Sequence, residues 1–424
     1  MQLSTYTKIF PYKNGHILYS VLTSASVLAD AKTLNRTLAG KNRPEERKSL
    51  IELGIITSSS ELDRHLAFSI IGTRDRNSNT LRVVAAMNLD CNLACPYCFE
   101  KRVKGENFYM DRRTASQLID FLLKRLSGIK ILSVDFYGGE PLLSLGLIKE
   151  IAARLQSECG RRGVGFGFGM TSNGTLLTPK AAESLVPLGF KSVRVTVNGP
   201  REIHDGMRPF KGGAGSFDII LSNLKAAAGK IAIVVTGSYT KDNYRHFPSL
   251  LDQMKKEGLT PDKVAAVKFE PVLASQSDCA GACAAPDEPW VADATIFLRN
   301  QVLKKGYKAP RTRPSPCSAH FKNNLIVNWD GGLYRCPGFL GNLRFQSGSL
   351  TEGPTAFINK HYLGAWRNKK CLHCQYLPLC FGGCKYIRYF RTGDTRGIEC
   401  RKAFLDAALE GLVKQEIRYP GRLI

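Results

Sequence analysis

The sequence predicts an α/β protein. Three observations carry that expectation. Strand-like and amphipathic segments alternate between residues 81 and 305, a short hairpin-and-helix unit precedes them, and a cysteine-rich stretch with weak periodicity follows. At 424 residues the chain is too long for one compact core, so two or three domains are expected.

Residues 1–80 read as a small α+β unit. Segments 7–12 and 16–22 form a hairpin around Lys13-Asn14-Gly15, with the Asn14-Gly15 pair expected to supply the positive backbone angles of the turn. Short helices are expected at 31–38 and 44–53, the second stopped by Gly54. Ile55-Ile56 then turns back into a small core.

Within 81–305 the candidate strands are 81–87, 131–137, 164–171, 192–197, 230–236 and 264–272. Between them, Ala115, Leu118, Ile119, Leu122 and Leu126 repeat at helical spacing, and segments 148–159, 179–188, 217–228 and 244–257 are also amphipathic. Six such alternations imply a parallel sheet with right-handed crossovers, either an open α/β fold or a partial barrel. Ligands in these folds sit at the carboxyl ends of the strands. Residues 306–400 are rich in Gly, Cys and Pro and read as a small domain held by metal. A closing amphipathic helix and tail occupy 401–424.

Composition narrows the function. No apolar run is long enough to cross a bilayer and the N-terminus lacks a signal-peptide pattern, so a cytoplasmic protein without a membrane partner is expected. Thirteen cysteines then argue for metal or redox chemistry over a disulfide framework. The formal charge of +24 is spread along the chain with few dense runs, which disfavours nucleic acid as partner. A basic surface equally suits an acidic peptide or an anionic electron donor.

The strongest local signal is Cys91-x3-Cys95-x2-Cys98, with Tyr97 before the last cysteine. Three thiolates in eight residues can grip a metal centre from one side and leave a coordination position open. The spacing resembles the radical S-adenosylmethionine (radical SAM) family, whose 4Fe-4S cluster binds SAM at its unique iron. Gly138-Gly139-Glu140, at the end of the second strand, resembles the motif that receives the amino group of SAM. Asn173, in Thr171-Ser172-Asn173-Gly174-Thr175, falls where family members place polar groups near SAM. Thr196-Val197-Asn198-Gly199, then His204-Asp205 and Arg208, resembles a Ser-x-Asp-Gly…His-Asp-x-x-Arg stretch of peptide- and protein-modifying members. Thr196 keeps the hydroxyl that would contact SAM, Asn198 loses the charge of the Asp, and Arg208 is placed to pair with the carboxylate of SAM. Lys268-Phe269-Glu270-Pro271-Val272 sits where the family contacts adenine.

Cys317-x13-Gly331-x4-Cys336, then Cys371-x2-Cys374-x5-Cys380-x3-Cys384 and Cys400, matches the spacing of the SPASM extension. A zinc ribbon explains a pair of C-x2-C units, not seven cysteines in this order. By that resemblance Cys371, Cys374, Cys380 and Cys400 complete one auxiliary cluster, and Cys317, Cys336 and Cys384 give three ligands to the other. With the SAM cluster this makes three, all expected to be 4Fe-4S. No cysteine follows Cys317 within Ser318–His320 or the next residues, so the first auxiliary cluster either keeps an open iron or is closed by Cys279, Cys283 or His320. Cys159 reads as a small buried hydrophobe.

The fold implied is a partial (β/α)6 TIM barrel with an N-terminal winged-helix-like domain and a C-terminal SPASM domain. The function implied is a radical SAM maturase of ribosomal precursor peptides. Residues 1–80 would hold the leader as an added strand, a flavodoxin or ferredoxin-like protein would be the reductant, and thioether cross-links are one expected product. The strand-rich start resembles maturases of geopeptide-type substrates. Sulfatase maturases carry an Asp after the cysteine equivalent to Cys336; here Pro337 has no acid–base capacity. Modification of a folded protein or small molecule, or electron transfer without catalysis, are the competing readings.

Overall fold

A computed structural model of the chain describes residues 1–98, 107–273, 288–355 and 362–424. The N-terminal unit contains β1 (Gln2–Leu3), β2 (Thr7–Tyr12), β3 (Gly15–Ser20), β4 (Ser26–Ala29), α1 (Ala31–Leu38), α2 (Pro44–Glu52), β5 (Ile56–Thr57) and α3 (Ser60–Arg76). Strands β2, β3 and β4 form an antiparallel sheet in that order. The expected hairpin is present, with Tyr12 opposite Gly15, but its positive backbone angle falls on Lys13 (φ 50°). Gly15 is needed for another reason: a Cβ there would lie 2.5 Å from the Ala29 carbonyl oxygen of β4.

Helix α3 has no helical apolar period to betray it. Leu62 and Leu66 face outward, whereas Asp63 and Ala67 are buried, Ile70 and Ile71 pack on the same core, and the Phe68 ring meets Trp366 at 5.6 Å. Asp63 is held by the Thr5 backbone N–H at 2.7 Å, and the Ser59 side chain caps the helix by accepting from Leu62 N. Nor does the unit stand apart from the rest of the chain. Tyr6, Phe10 and Ile17 share one core with Trp366, Tyr376 and Leu377 of the cysteine-rich segment, and Tyr19 donates to the Thr312 carbonyl at 3.1 Å.

All six expected central strands are present: β6 (Thr80–Asn88), β7 (Ile131–Gly138), β8 (Gly165–Ser172), β9 (Phe190–Thr196), β10 (Ala232–Tyr239) and β11 (Val264–Pro271). They pair in sequence order and in parallel. Between them run α4 (Arg112–Leu123), α5 (Leu145–Arg161), α6 (Pro179–Leu185), α7 (Arg201–Met207), α8 (Phe217–Ala227) and α9 (Phe247–Lys256), followed by α10 (Pro289–Lys304). The α4 period was legible because Leu118, Ile119 and Leu122 are all buried, each worth roughly 1.5–3 kcal/mol of apolar transfer.

The sheet extends past the expected six strands. β12 (Asn324–Val327) lies parallel to β6, and β13 (Leu333–Tyr334) pairs antiparallel with β12. The cysteine-rich segment thus contributes two strands to the central sheet across the expected boundary at residue 305. At the other end of the chain, the helix Lys402–Arg418 packs on α10, where Arg299 meets Glu416 at 2.9 Å in a nearly dry pair. Among the described residues no helix is long and apolar enough to cross a membrane.

Candidate functional site

The loop after β6 carries Cys91, Cys95 and Cys98 to the carboxyl ends of the parallel strands. They line a cavity of about 290 Å³, together with Gly138 and Gly139 after β7, Asn173 after β8, Thr196 at the end of β9, and Arg208. Thus five of the six residues expected to contact SAM share one cavity with the cysteine triplet. Pro271 and Val272, from the stretch expected near adenine, also reach it.

The two glycines make this convergence sterically possible. A Cβ on Gly138 would sit 2.3 Å from the Asn88 carbonyl oxygen, and one on Gly139 2.0 Å from that of Asp90. Their bare backbone lets Glu140 N donate to Asp90 O at 2.7 Å, which locks β7 against the cysteine loop. Asp90 steadies the same loop. It accepts from Cys91 N, Tyr109 and Lys211, and these donors outweigh burial to keep its carboxyl below the ordinary range.

Glu140, the sixth expected contact, is fully buried and lies outside the residues that line the cavity. Its carboxylate accepts from Leu142 N at 3.0 Å, Asn173 N at 2.7 Å and the Ser172 hydroxyl at 2.9 and 3.1 Å. Burial raises its pKa, and these hydrogen bonds oppose the rise. In this geometry the carboxylate joins the ends of β7 and β8. Asn173 in turn reaches the Cys91 sulfur (3.6 Å) and Asn92 Oδ1 (2.8 Å), and Leu93 N points at the same sulfur at 3.5 Å. Hydrogen bonds of this kind steady a thiolate that holds metal.

Arg208 donates from Nη1 to the Tyr97 hydroxyl at 3.0 Å, while its Nε is buried with no partner. Burial opposes its charge, but the Tyr97 oxygen and the Cys95 and Cys91 sulfurs raise its pKa above the ordinary value. The His204-Asp205 pair supports Arg208 from behind. Asn198 N donates to His204 Nδ1 (3.1 Å), so Nε2 carries the hydrogen and meets Ser216 Oγ (3.0 Å), which donates to the Arg208 carbonyl (2.6 Å). Asp205 accepts from the backbone of Ser216 and Phe217 and so fixes the loop that returns from Arg208.

Burial, with Arg208 nearby, pushes His204 down to about 3. Between pH 6.5 and 3 the unfolded chain therefore binds a proton that the folded chain refuses, and acidification destabilises the fold. The His204 contribution is about 2 kcal/mol lost by pH 5. The melting temperature of His204→Gln should fall less steeply from pH 7 to 5 than that of the parent. Parallel slopes would mean that His204 titrates normally.

The cysteine-rich segment gathers its thiols in two places. Burial raises the Cys336 thiol, and the neighbouring Cys317 and Cys384 sulfurs add to it. Burial likewise raises Cys371; its side-chain bond from Asn368 opposes this, and Cys380, Cys374 and Cys400 reinforce it. The latter four cysteines all line a second cavity, of about 540 Å³. Among the described residues no three His, Cys, Asp or Glu side chains are placed to share one metal ion. His320 is pushed down to about 4 by burial, Arg367 and Lys385, so it is a neutral imidazole at pH 7. Cys279 and Cys283 lie outside the described residues, and Cys159 is buried in the core of the central sheet.

Sequence reasoning missed Ser238 and Leu273 on the sheet side of the chain, and Tyr386 and Phe390 from the helix Lys385–Thr392. For Tyr386 and Phe390 the available signal was their i,i+4 spacing directly after Cys384. The Tyr386 and Phe390 rings lie 5.7 Å apart and bring the cysteine-rich segment to the cavity.

Three thiols lining one cavity at the carboxyl ends of a parallel α/β sheet put the chain in the class of α/β enzymes whose ligands sit at the strand ends. Comparison makes this specific. The Radical SAM superfamily model matches residues 87–254. An uncharacterised protein of Methanocaldococcus jannaschii is 36% identical over 260 residues, which span 59% of this chain and 82% of that protein. Among solved structures, native anSMEcpe with bound AdoMet and the Kp18Cys peptide has a TM-score of 0.64 at 19% identity, covering 80% of this chain and 99% of the other. Streptococcus suis SuiB bound to precursor peptide SuiA has a TM-score of 0.55 at 14% identity, covering 94% and 99%. The chain belongs to the radical SAM superfamily. It is a radical SAM enzyme, and membership implies SAM and a 4Fe-4S cluster as cofactors.

Proposed function

We propose that this enzyme modifies a ribosomally made precursor peptide. The observation that carries the reading is the composite cavity: the sheet supplies the cysteine triplet and the glycine and Arg208 contacts, while the cysteine-rich segment supplies Tyr386 and Phe390. A site walled by two parts of the chain can present groups from both to what binds there. The peptide-bound structures among the similar folds support the same substrate class.

Cys91, Cys95 and Cys98 would hold the SAM cluster, and the donor set fits: three thiols, with Asn173 and Leu93 N–H groups on Cys91. When bound, that cluster supplies the electron that cleaves SAM to methionine and a 5′-deoxyadenosyl radical, the hydrogen-abstracting species. Gly138, Gly139, Asn173, Thr196 and Arg208 would bind and orient SAM, with Glu140 holding two of the strand ends that carry them. Cys317, Cys336 and Cys384 would hold one auxiliary 4Fe-4S cluster, and Cys371, Cys374, Cys380 and Cys400 the other. Residues 1–80 would take the leader along an edge of the β2–β3–β4 sheet, and a flavodoxin or ferredoxin-like protein would deliver electrons. An open iron at the Cys317 set would suit a cysteine-containing substrate and thioether formation. Pro337 after Cys336 still disfavours sulfatase maturation.

The test is anaerobic reconstitution followed by reduction with SAM and a short peptide encoded beside this gene. Deoxyadenosine formation with a peptide two hydrogens lighter supports the full reading. Deoxyadenosine with an unaltered peptide removes the substrate, and a mass change other than that loss removes the thioether.

A further inference from the structure

Tyr6 is fully buried, and its hydroxyl has no hydrogen-bond partner among the described residues. A buried donor left without an acceptor costs about 1–3 kcal/mol, so such a group in a folded chain calls for one. Alternation along the chain shows which way the ring faces. Tyr6, Phe10 and Tyr12 belong to the core shared with the cysteine-rich segment, whereas Ile9 packs in the other core of the N-terminal unit. Lys8, on the same face by that alternation, reaches Gln375 Oε1 at 3.2 Å and lies 4.8 Å from the centre of the Tyr376 ring. It also lines the cavity of Cys371, Cys374, Cys380 and Cys400. Three of those cysteines, Cys371, Cys374 and Cys380, pack in the core that holds Tyr6.

Burial raises the Tyr6 phenol to about 12, and Asp63 and the Cys374 sulfur reinforce this against Arg64. Asp63 accepts the Thr5 N–H and takes nothing from Tyr6, which leaves the sulfur side as acceptor. Four cysteine thiols are the donor set of a 4Fe-4S cluster, and all four line one cavity here. We propose that the Tyr6 hydroxyl donates a hydrogen bond to the iron–sulfur group held by Cys371, Cys374, Cys380 and Cys400, on its Cys374 side. This rests on the auxiliary-cluster reading above and adds to it a donor from the N-terminal unit. Hydrogen bonds to cluster sulfurs stabilise the more negative, reduced state and raise the reduction potential. The unit proposed to take the leader is thereby in direct contact with an electron-carrying group.

The test is a redox titration of the full-length, cluster-reconstituted protein, followed by electron paramagnetic resonance. It compares the parent with Tyr6→Phe, which removes only the phenol oxygen. The signal of the Cys371 set is assigned as the one that changes in Cys400→Ala. Tyr6→Phe should shift the reduction equilibrium of that cluster about tenfold toward the oxidised form, which is about 59 mV for one electron. The groups held by the Cys91 and Cys317 sets should each change by less than about twofold, because the lost donor faces neither. No shift at the Cys371 set, an upward shift there, or an equal shift at all three sets overturns the proposal. Should Tyr6→Phe not hold that cluster, replacing Tyr6 by 3-fluorotyrosine, a stronger donor of nearly the same shape, must raise the potential instead. A potential that stays or falls then overturns the proposal. A parent that loads only about four irons removes the auxiliary-cluster reading and the proposal together. One that loads about twelve, with an unshifted Tyr6→Phe, removes the hydrogen bond alone.

Discussion

Replacing Cys91, Cys95 and Cys98 together by Ala should reduce deoxyadenosine formation to background while the chain keeps most of its iron. All three thiols face the cavity, on a loop positioned by Asp90 and by the close approach of Gly138 and Gly139. The Asn173 amide and Leu93 N both meet the Cys91 sulfur. The cysteines from Cys317 onward gather elsewhere, around other sulfurs and a separate cavity. Iron analysis should therefore fall from about twelve to about eight per chain if each set binds four irons. Cleavage retained in the triple variant would remove the radical site from this loop, and iron falling to zero would mean that the sets do not assemble independently.

Glu140→Ala should lower stability strongly, and Glu140→Gln less so. Alanine strands the Ser172 hydroxyl and the N–H groups of Leu142 and Asn173, each a buried donor worth about 1–3 kcal/mol when unsatisfied. Glutamine can satisfy all but one of them, for a loss nearer 1–3 kcal/mol. Denaturation midpoints of the oxidised holoenzyme check this, alongside SAM affinity. A Gln variant with parental stability and much weaker SAM binding would place the carboxylate on the cofactor instead of between the strands.

These two sites also show what could be read before any coordinates. The cysteine triplet and the glycine pair were legible because spacing alone constrains them: three thiols in one loop, and residues without Cβ where two backbones touch. The six strands announced themselves through alternation of buried residues such as Leu132, Val134 and Phe136. Glu140 was legible as important, but its surroundings were not, since whether a carboxylate meets a ligand or a neighbouring strand end is decided by atoms distant in sequence. Helix α3 was hidden because Leu62 and Leu66 face outward while the polar Asp63 sits on its buried side, and β12 because four residues are too few to show a period. Tyr97 was visible as an aromatic residue in the motif, yet its hydroxyl partners, Asn198 and Arg208, lie 101 and 111 positions away.

The pairing of β12 with β6 has a further consequence. β6 runs directly into the loop of Cys91, and β12 lies between Cys317 and Cys336; the two are hydrogen-bonded neighbours from Asn324–Arg82 to Val327–Ala85. Adjacent strands are held about 4.8 Å apart by the ladder itself. The two thiol-bearing segments are thereby tied to each other through one sheet. Any electron exchanged between groups they hold crosses a gap set by backbone geometry. Its rate would then be insensitive to solvent viscosity, as hinged domains would not allow.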